Sequence, residues 1–481
     1  MGGEQAEKGG LRMALAELGI VGLAAMGSNL ARNAAGKGHR TAVYDREAPV
    51  RAAFLRAEGG AGAFAMAEEL EELPGLVARP RKLLLMVKAG QPVDAVLERL
   101  LPCLEPGDVV IDGGNSHWSD TARRQARVKA AGVLYVGAGV SGGSRGARLG
   151  PAIMPGGDPA AWPVVKDLLE DLSARAPDGM PCCRWMGPEG AGHFVKTVHN
   201  GIEYGEMQLI GEVCLLMREG LGMSAAEAAE VFRAWGRGPR GSYLIQITGE
   251  ILARTQAGGT PLVDQIADQA EQKGTGGWAV SAALELGVPA PLIGAAVSAR
   301  ALSAQGALRR QAAGRYPRPE SGPIPDRAGF LEDLGQALYG GRLAAFAQGT
   351  ELLAAARQWG WALDWGEAAL VWRAGCILRS PLLEEAAAAR RRGEEHLLLD
   401  REIARGLAGG LPGWRRAAAA GAAWGLSLPA LAAGLAYVDG LAAPRDHAAA
   451  LIQAQRDCFG AHTYGRVDRP GRFHTDWLGE D

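Results

Sequence analysis

The sequence predicts an α/β doubly wound domain, followed by a large all-α domain and a C-terminal tail. Three observations predict it. Up to about residue 188, short β-branched runs alternate with apolar-periodic segments of helical length, the pattern of parallel βαβ units. Beyond about residue 189 the strand signals stop, and long Ala-, Leu- and Glu-rich stretches follow, punctuated by Gly and Pro. From about residue 445 the chain turns polar and Gly-rich, ending in GRVDRPGRFHTDWLGED, which reads as a tail rather than a core element. The expected units are therefore 1–188, 189–444 and 445–481.

The strands expected in the first unit are Leu18–Leu23, Thr41–Tyr44, Leu83–Val87, Val109–Asp112 and Val133–Val136. In the second unit the longest irregular piece is RRQAAGRYPRPESGPIPDRAG, residues 309–329, read as an exposed connection. Ala417–Val438 carries no charge and is long enough to span a bilayer. It is mostly Ala and Gly, however, and Ser427 followed by Pro429 reads as a helix boundary. Two buried small-residue helices are expected there, not a membrane span.

Composition narrows the function classes. Formal net charge is −2, from 51 basic and 53 acidic residues, so no general attraction to nucleic acid follows and any anion site must be local. The six cysteines, at 103, 182, 183, 214, 376 and 458, form no CxxC pair and suit a reducing cytosol, with adjacent Cys182 and Cys183 read as packing residues. The opening MGGEQAEKGG lacks an apolar run and is not a secretory signal. A cytoplasmic protein with no membrane segment is expected.

ELGIVGLAAMGSNLARNAAGKGHRTAVYD has the layout of a dinucleotide site. A strand ends at Gly22, a tight turn follows through Leu23, Ala24 and Ala25, and a helix begins around Met26 and Gly27. The middle glycine of GxGxxG is Ala24; a small residue there still lets the backbone approach a pyrophosphate, whose charge the helix N-terminus stabilises. The next strand ends at Asp45, eighteen residues after Gly27. This makes the first unit Rossmann-like. Asp45 can accept from both ribose hydroxyls of NAD and repels the extra phosphate of NADP. Arg46 can stack on adenine or pair with that phosphate, and Glu47 adds a second negative charge, so the local electrostatics lean towards NAD.

Two glycine-rich loops follow strands: Val87-Lys88-Ala89-Gly90 and Asp112-Gly113-Gly114-Asn115-Ser116. In such a sheet these strand ends form the ligand crevice. Gly139-Val140-Ser141-Gly142-Gly143-Ser144 adds backbone N–H groups and a hydroxyl suited to a carboxylate. Further along, QKGTGGW supplies Lys273 and Thr275, VSARALS supplies Arg300, and QAQRDCFGAHTYG supplies Arg456 and His462. Cations with a hydroxyl and a tyrosine are what a phosphate monoester calls for, although surface arginines are the ordinary alternative.

KTVHNGIEYGEMQ, residues 196–208, sets Lys196, His199, Asn200, Glu203 and Tyr204 on one helical stripe, with Val195, Val198 and Ile202 outside it. Lys196 and Glu203 fall within about 20° of each other and about 10 Å apart along the axis. Taken alone, the stripe reads equally as a solvated helix face.

Taken in order, IDGGNSHWSDTARR, VGAGVSGGSRGARLGPAIMPGG, GHFVKTVHNGIEYGEMQLI, QKGTGGW, WRAGCILRS and LIQAQRDCFGAHTYG resemble the 6-phosphogluconate dehydrogenase family, over about Met13 to Trp477. The resemblance implies oxidative decarboxylation of 6-phosphogluconate to ribulose 5-phosphate. It also implies NADP or NAD as cofactor, no metal, and a homodimer whose tail completes the partner's site. It makes Lys196 the general base and Glu203 the acid that protonates C1. Asn115, His199 and Asn200 then hold sugar hydroxyls, and Ser141, Gly142 and Gly143 hold the carboxylate. Tyr204, Lys273, Thr275 and Arg300 take the phosphate, joined by Arg456 and His462 of the partner chain, while Lys88 falls at the nicotinamide side. Departures from the family pattern are Asp45-Arg46-Glu47 in place of Asn-Arg-Thr, Ser144 for a glutamate, Gly277 for a lysine and Cys458 for a tyrosine. Met13 aligns with the family's usual start and is expected as an alternative initiator. A shorter β-hydroxyacid dehydrogenase shares the glycine turn and the lysine but has no need of Glu203, Lys273, Arg456 or His462. A catalytically dead relative is expected to lose the stripe or the phosphate set, and both are intact.

Overall fold

The computed structural model describes residues 14–58, 64–272, 274–319, 322, 324 and 326–479; Met13 and Lys273 lie outside them. The first unit runs β1 (Leu18–Val21), α1 (Ala25–Gly36), β2 (Thr41–Tyr44), α2 (Ala48–Ala57), β3 (Phe64–Met66), β4 (Lys82–Leu85), α3 (Gln91–Leu100), β5 (Val109–Asp112), α4 (Trp118–Lys129), β6 (Leu134–Ser141), α5 (Gly143–Leu149), β7 (Ala152–Gly157) and α6 (Trp162–Leu172). The sheet order is β3-β2-β1-β4-β5-β6-β7, parallel throughout except for the antiparallel β6–β7 pair.

Strands such as LGIV and VVID are buried at every position. That is why they read as unbroken apolar runs: a parallel sheet is covered on both faces. Leu18, Ile20, Val43 and Ile111 pack with α1, α2 and α6, while Val21, Leu83, Leu85 and Val110 pack with α3 and α4. Successive strand residues point to opposite faces, so each strand feeds both layers. The order reverses between β1 and β4, and ligands of such sheets settle at that switch point.

The sequence reading lacks β3 and β7 and misplaces several bounds: β1 ends at Val21 rather than Leu23, and β4 runs Lys82–Leu85 rather than Leu83–Val87. β3 has only three residues and β7 reads AIMPGG; Pro155 and the two glycines erase the usual strand signal of β7. β6 continues to Ser141, so Gly139, Val140 and Ser141 are strand rather than loop. The 309–329 connection begins inside a helix, Gly306–Ala313, and ends inside another, Arg327–Ala355.

The helical part comprises α7 (Ala191–Leu215), α8 (Ala225–Arg237), α9 (Tyr243–Ala253), α10 (Thr275–Leu286), α11 (Pro291–Ser303), α12 (Gly306–Ala313), α13 (Arg327–Ala355), α14 (Trp365–Val371), α15 (Leu382–Arg391), α16 (Arg401–Ala423), α17 (Pro429–Ala442) and α18 (His447–Gly460). The uncharged Ala/Gly stretch is indeed split between α16 and α17, with Pro429 in the first turn of α17. Among the described residues no helix is long and apolar enough to cross a membrane.

Two long helices, α7 and α13, are buried on most of their surface and share one core. Their glycines explain the close contact. A Cβ at Gly341 would sit 2.6 Å from Leu209 Cδ2, and one at Gly349 would sit 2.5 Å from Ile202 Cδ1. On the other faces of α7, a Cβ at Gly201 would strike Ala279 of α10 at 2.8 Å, and one at Gly205 would strike Leu292 of α11 at 2.8 Å. Packing at this density leaves a helix little freedom to shift. α7 is thus a rigid rod, and its first turn at Gly192 presses on the backbone of β6 and β7.

Candidate active site

The polar stripe of α7 is not a solvated face. Lys196 is 6% exposed, His199 0%, Asn200 7% and Tyr204 5%, and the Glu203 side chain is 18% exposed. Lys196 Nζ lies 3.2 Å from His199 Nδ1, and Glu203 Oε2 lies 3.7 Å from the same nitrogen. Across the cleft, Ser141 Oγ at the end of β6 lies 3.2 Å from His199 Nε2. A proton on Nε2, donated to Ser141, leaves Nδ1 to accept from Lys196. His199 then joins Lys196, Glu203 and Ser141 in one chain of contacts while staying neutral.

Burial sets the protonation states. It pushes the Lys196 pKa below the usual lysine range, against the pull of Glu203 and Cys376. It holds His199 well below the usual histidine value, and the charge of Lys196 acts in the same direction. It pushes Glu203 above the usual carboxylate range, with Lys196 and Arg300 opposing. Desolvation disfavours the charged form of each group, so the site favours a lysine able to lose its proton and a carboxyl able to keep one. That is the pairing general base and general acid need near neutral pH.

Ser141 is followed by Gly142, whose φ of +121° is open to glycine alone without strain, and a Cβ there would run into the Gly375 carbonyl. Gly142 caps α5, which starts at Gly143, so Ser141, Gly142 and Gly143 present a hydroxyl and a helix start beside His199.

Tyr204 begins a second cluster. The Arg300 guanidinium carbon stands 3.5 Å from the Tyr204 ring centroid, and Gly276 in the first turn of α10 packs so closely that a Cβ would meet the ring at 2.5 Å. Thr275 opens α10. A phenol, a guanidinium, a hydroxyl and a helix N-terminus therefore converge, a combination that suits a phosphate. Arg456 and His462 do not join them in this chain. Arg456 donates to Gln453 Oε1 at 3.1 Å, and His462 meets the Phe459 ring at 5.7 Å, both on the exposed tail.

At the sheet's switch point a cleft of about 540 Å³ is lined by Gly22, Ala24, Asp45, Arg46, Glu47, Val87 and Lys88. Gly22 has φ +97°, and a Cβ would lie 2.6 Å from the Met86 carbonyl. The turn through Leu23 leads into α1 at Ala25, one residue before Met26. This cradle fits a dinucleotide: the turn tolerates only a bare backbone, and α1 offers its unpaired first-turn N–H groups. Asp45 accepts from Leu23 N–H at 2.7 Å and Glu47 N–H at 2.9 Å, so its carboxylate is fixed at the ribose end. Arg46 and Glu47 pair at 3.0 Å on the exposed rim. Ala89 is half-buried beside exposed Lys88, and Asn115 is exposed between buried Gly114 and Ser116.

Several residues to which the sequence analysis gives no role also pack around this site. The WRAGCILRS segment folds over the polar stripe: Trp372 meets His199 edge-on at 5.5 Å, and Cys376 Sγ donates to Trp372 O at 3.0 Å. Burial pushes the Cys376 thiol up to about 12, so it stays neutral near Lys196. Thr121 Oγ1 lies 2.7 Å from His193 Nδ1, tying α4 to the start of α7. Glu206, one turn beyond Glu203, is wholly buried against Arg342 at 3.0 Å and accepts from Ser242 Oγ. These contacts join residues far apart in the chain, and no periodicity announces them.

Comparisons with known proteins agree along the chain. Residues 17–187 match the NAD binding domain of 6-phosphogluconate dehydrogenase, and residues 192–477 match the 6-phosphogluconate dehydrogenase C-terminal domain. The chain is 46% identical over 478 residues to 6-phosphogluconate dehydrogenase, decarboxylating, of Treponema pallidum, covering 96% of this chain and 97% of that protein. It is 44% identical to the protein of the same description from Homo sapiens, covering 97% and 98%. A Plasmodium falciparum 6-phosphogluconate dehydrogenase, solved in apo form and in complexes with its cofactor NADP+ and its substrate 6-phosphogluconate, is similar with a TM-score of 0.92. It is 38% identical, with 96% of this chain and 100% of that chain covered.

Proposed function

The chain belongs to the 6-phosphogluconate dehydrogenase family, and on that premise we propose how its residues carry out the oxidative decarboxylation of 6-phosphogluconate. The single observation that carries the reading is the buried chain Lys196–His199–Ser141 with Glu203 beside it. NADP is the cofactor; the turn at Gly22 and the start of α1 would hold it, and when bound it would supply the hydride acceptor for C3 of the substrate. Lys196, whose burial favours loss of its proton, takes the proton of the C3 hydroxyl. The resulting β-keto acid loses carbon dioxide as the C1–C2 bond breaks, and the bond electrons move to the C3 ketone oxygen, which Lys196 now reprotonates. Glu203 then delivers its proton to the carbon that bore the carboxylate, while Lys196 takes back the enol hydroxyl proton as the ketone re-forms, giving ribulose 5-phosphate.

Binding divides along the crevice. Ser141, Gly142 and Gly143 hold the carboxylate; Asn115, His199 and Asn200 hold hydroxyls; Tyr204, Lys273, Thr275 and Arg300 hold the phosphate. Arg456 and His462 complete that clamp from the partner subunit of a homodimer. Supporting this, Arg456 bonds to Gln453 one turn back on its own helix, and α18 exposes Leu451, Ile452 and Phe459. Asp45 and Glu47 line the cleft with two carboxylates that would oppose the extra phosphate of NADP, so NAD is accepted too. The unpaired cysteines fit a cytoplasmic enzyme.

The test is an initial-rate assay with 6-phosphogluconate and each nicotinamide cofactor, following reduced cofactor and carbon dioxide together. Equal yields of both products are expected. Reduction without carbon dioxide, or no turnover by a folded dimer, refutes the reading.

A further inference from the structure

We infer that Arg124, on α4, is a positioning residue for the oxidation half of the reaction. Its buried guanidinium locks the loop after β4 to the loop after β5, so that Lys88 and Asn115 face the crevice in fixed register. The inference rests on the placement of nicotinamide and substrate between those loops.

Arg124 has a side chain that is 0% exposed, and each of its N–H groups has a partner. Nε donates to Asp94 Oδ1 at 3.0 Å, and Nη2 donates to Asp94 Oδ2 at 3.0 Å and to the Gly90 carbonyl at 2.9 Å. Nη1 donates to Ser116 Oγ at 3.1 Å and to Asp112 Oδ2 at 3.5 Å. Gly90 ends the Lys88 loop, and Asp94 lies in the first turn of α3. Ser116 and Asp112 bracket Asn115. One planar cation therefore spans both loops.

The second loop is braced further by Asp112. Its Oδ2 accepts from Ser116 Oγ at 2.6 Å and from Tyr135 OH at 3.1 Å, and its Oδ1 accepts from Gly114 N–H at 3.1 Å. Gly114 and Ser116 are thus both anchored inward, which leaves Asn115 between them as the residue turned out. Burying a cation is favourable only when its donors are matched, and five donors in a fixed fork are a property of arginine that lysine lacks. The two loops it joins lie at the C-terminal strand ends where ligands of such a sheet react.

Arg124→Lys keeps the charge and removes the fork. The expected result is a rise of about tenfold or more in the KM for NADP and a fall of similar size in kcat, because small misplacements of reacting groups are costly. The KM for 6-phosphogluconate, set largely by the distant phosphate cluster and touched here only through Asn115, should rise by a smaller factor than the KM for NADP. Asp94→Asn loosens the α3 arm alone, at a half-buried position, and should raise the KM for NADP several-fold with the fold intact. NADPH fluorescence titration reads the same loss of affinity without turnover, so it stands or falls separately from the substrate assignment. Unchanged NADPH affinity in Asp94→Asn, or loss of both affinities and rate in proportion to unfolded protein in Arg124→Lys, overturns the inference.

Discussion

Lys196 and Glu203, seven residues apart on one helix, meet at the same atom: Nδ1 of His199, with Nζ at 3.2 Å and Oε2 at 3.7 Å. Among the described residues no ion pair joins the two directly. A direct salt bridge would hold the lysine charged and the carboxyl ionised, the reverse of what proton abstraction and delivery demand. The neutral imidazole stands between them.

The pH profile follows from the directions of the two shifts. Lys196 must be unprotonated to act as base, so kcat/KM falls as pH drops below its lowered pKa. Glu203 must hold its proton, so the rate falls again as pH rises through its raised pKa. Lys196→Ala should lower kcat by about 10²-fold to 10⁴-fold, the usual contribution of a general base. A variant that keeps the wild-type acid limb removes Lys196 from this role.

Glu203→Gln keeps the shape and removes the proton donor. Its kcat should fall about 10²-fold or more, with oxidation no longer limiting. Deuterium at C3 of the substrate should then slow turnover less than in the wild type. An undiminished isotope effect with the same kcat would show that Glu203 is not the acid.

Asp45→Asn with Glu47→Thr removes two carboxylates at the ribose end of the cleft. The ratio of kcat/KM for NADP to that for NAD should rise by about tenfold or more, since each exposed charge contributes about 1 kcal/mol. Separate titrations with the two cofactors decide the point, and an unchanged ratio refutes the role of these carboxylates.

Mixing Lys196→Ala with Arg456→Ala tests the tail. In a mixed dimer one site regains both an intact base and an intact partner tail, so activity should recover to about a quarter of the wild-type level on random assortment. No recovery from chains shown to exchange would mean that Arg456 serves its own subunit.

Glu212 links α7 to α17, accepting from Ala430 and Leu431 N–H at 2.8 Å each. Burial pushes its carboxyl up to about 7 against those hydrogen bonds, from an ordinary value of 4.5. The folded state therefore binds this proton more tightly than the unfolded chain. Its stabilisation is complete below about pH 4.5 and is lost as pH rises through about 7, amounting to about 3 kcal/mol at most. Urea midpoints of wild type and Glu212→Gln should diverge with rising pH, in favour of the variant. Parallel curves would show that Glu212 does not titrate on folding.

Much of this was legible in the chain. The β2 and β5 runs were read to the residue, because buried parallel strands are apolar throughout. The α7 stripe and the glycine turn at Gly22 were visible because helix period and φ requirements act locally. β7 was not, since Pro155, Gly156 and Gly157 look like a turn until pairing with β6 gives them partners.

By itself the sequence determined which chemical groups are available, in what order, and on which face of α7 they stand. Only the tertiary structure decided that this face is dry, that Ser141 closes on His199, and that Arg300 lies over Tyr204. The physical reason is that period and propensity are local, whereas desolvation and contact depend on what the rest of the chain brings alongside. Lys196 is buried because β6 and the segment around Cys376 close over it, and nothing within KTVHNGIEYGEMQ could supply that.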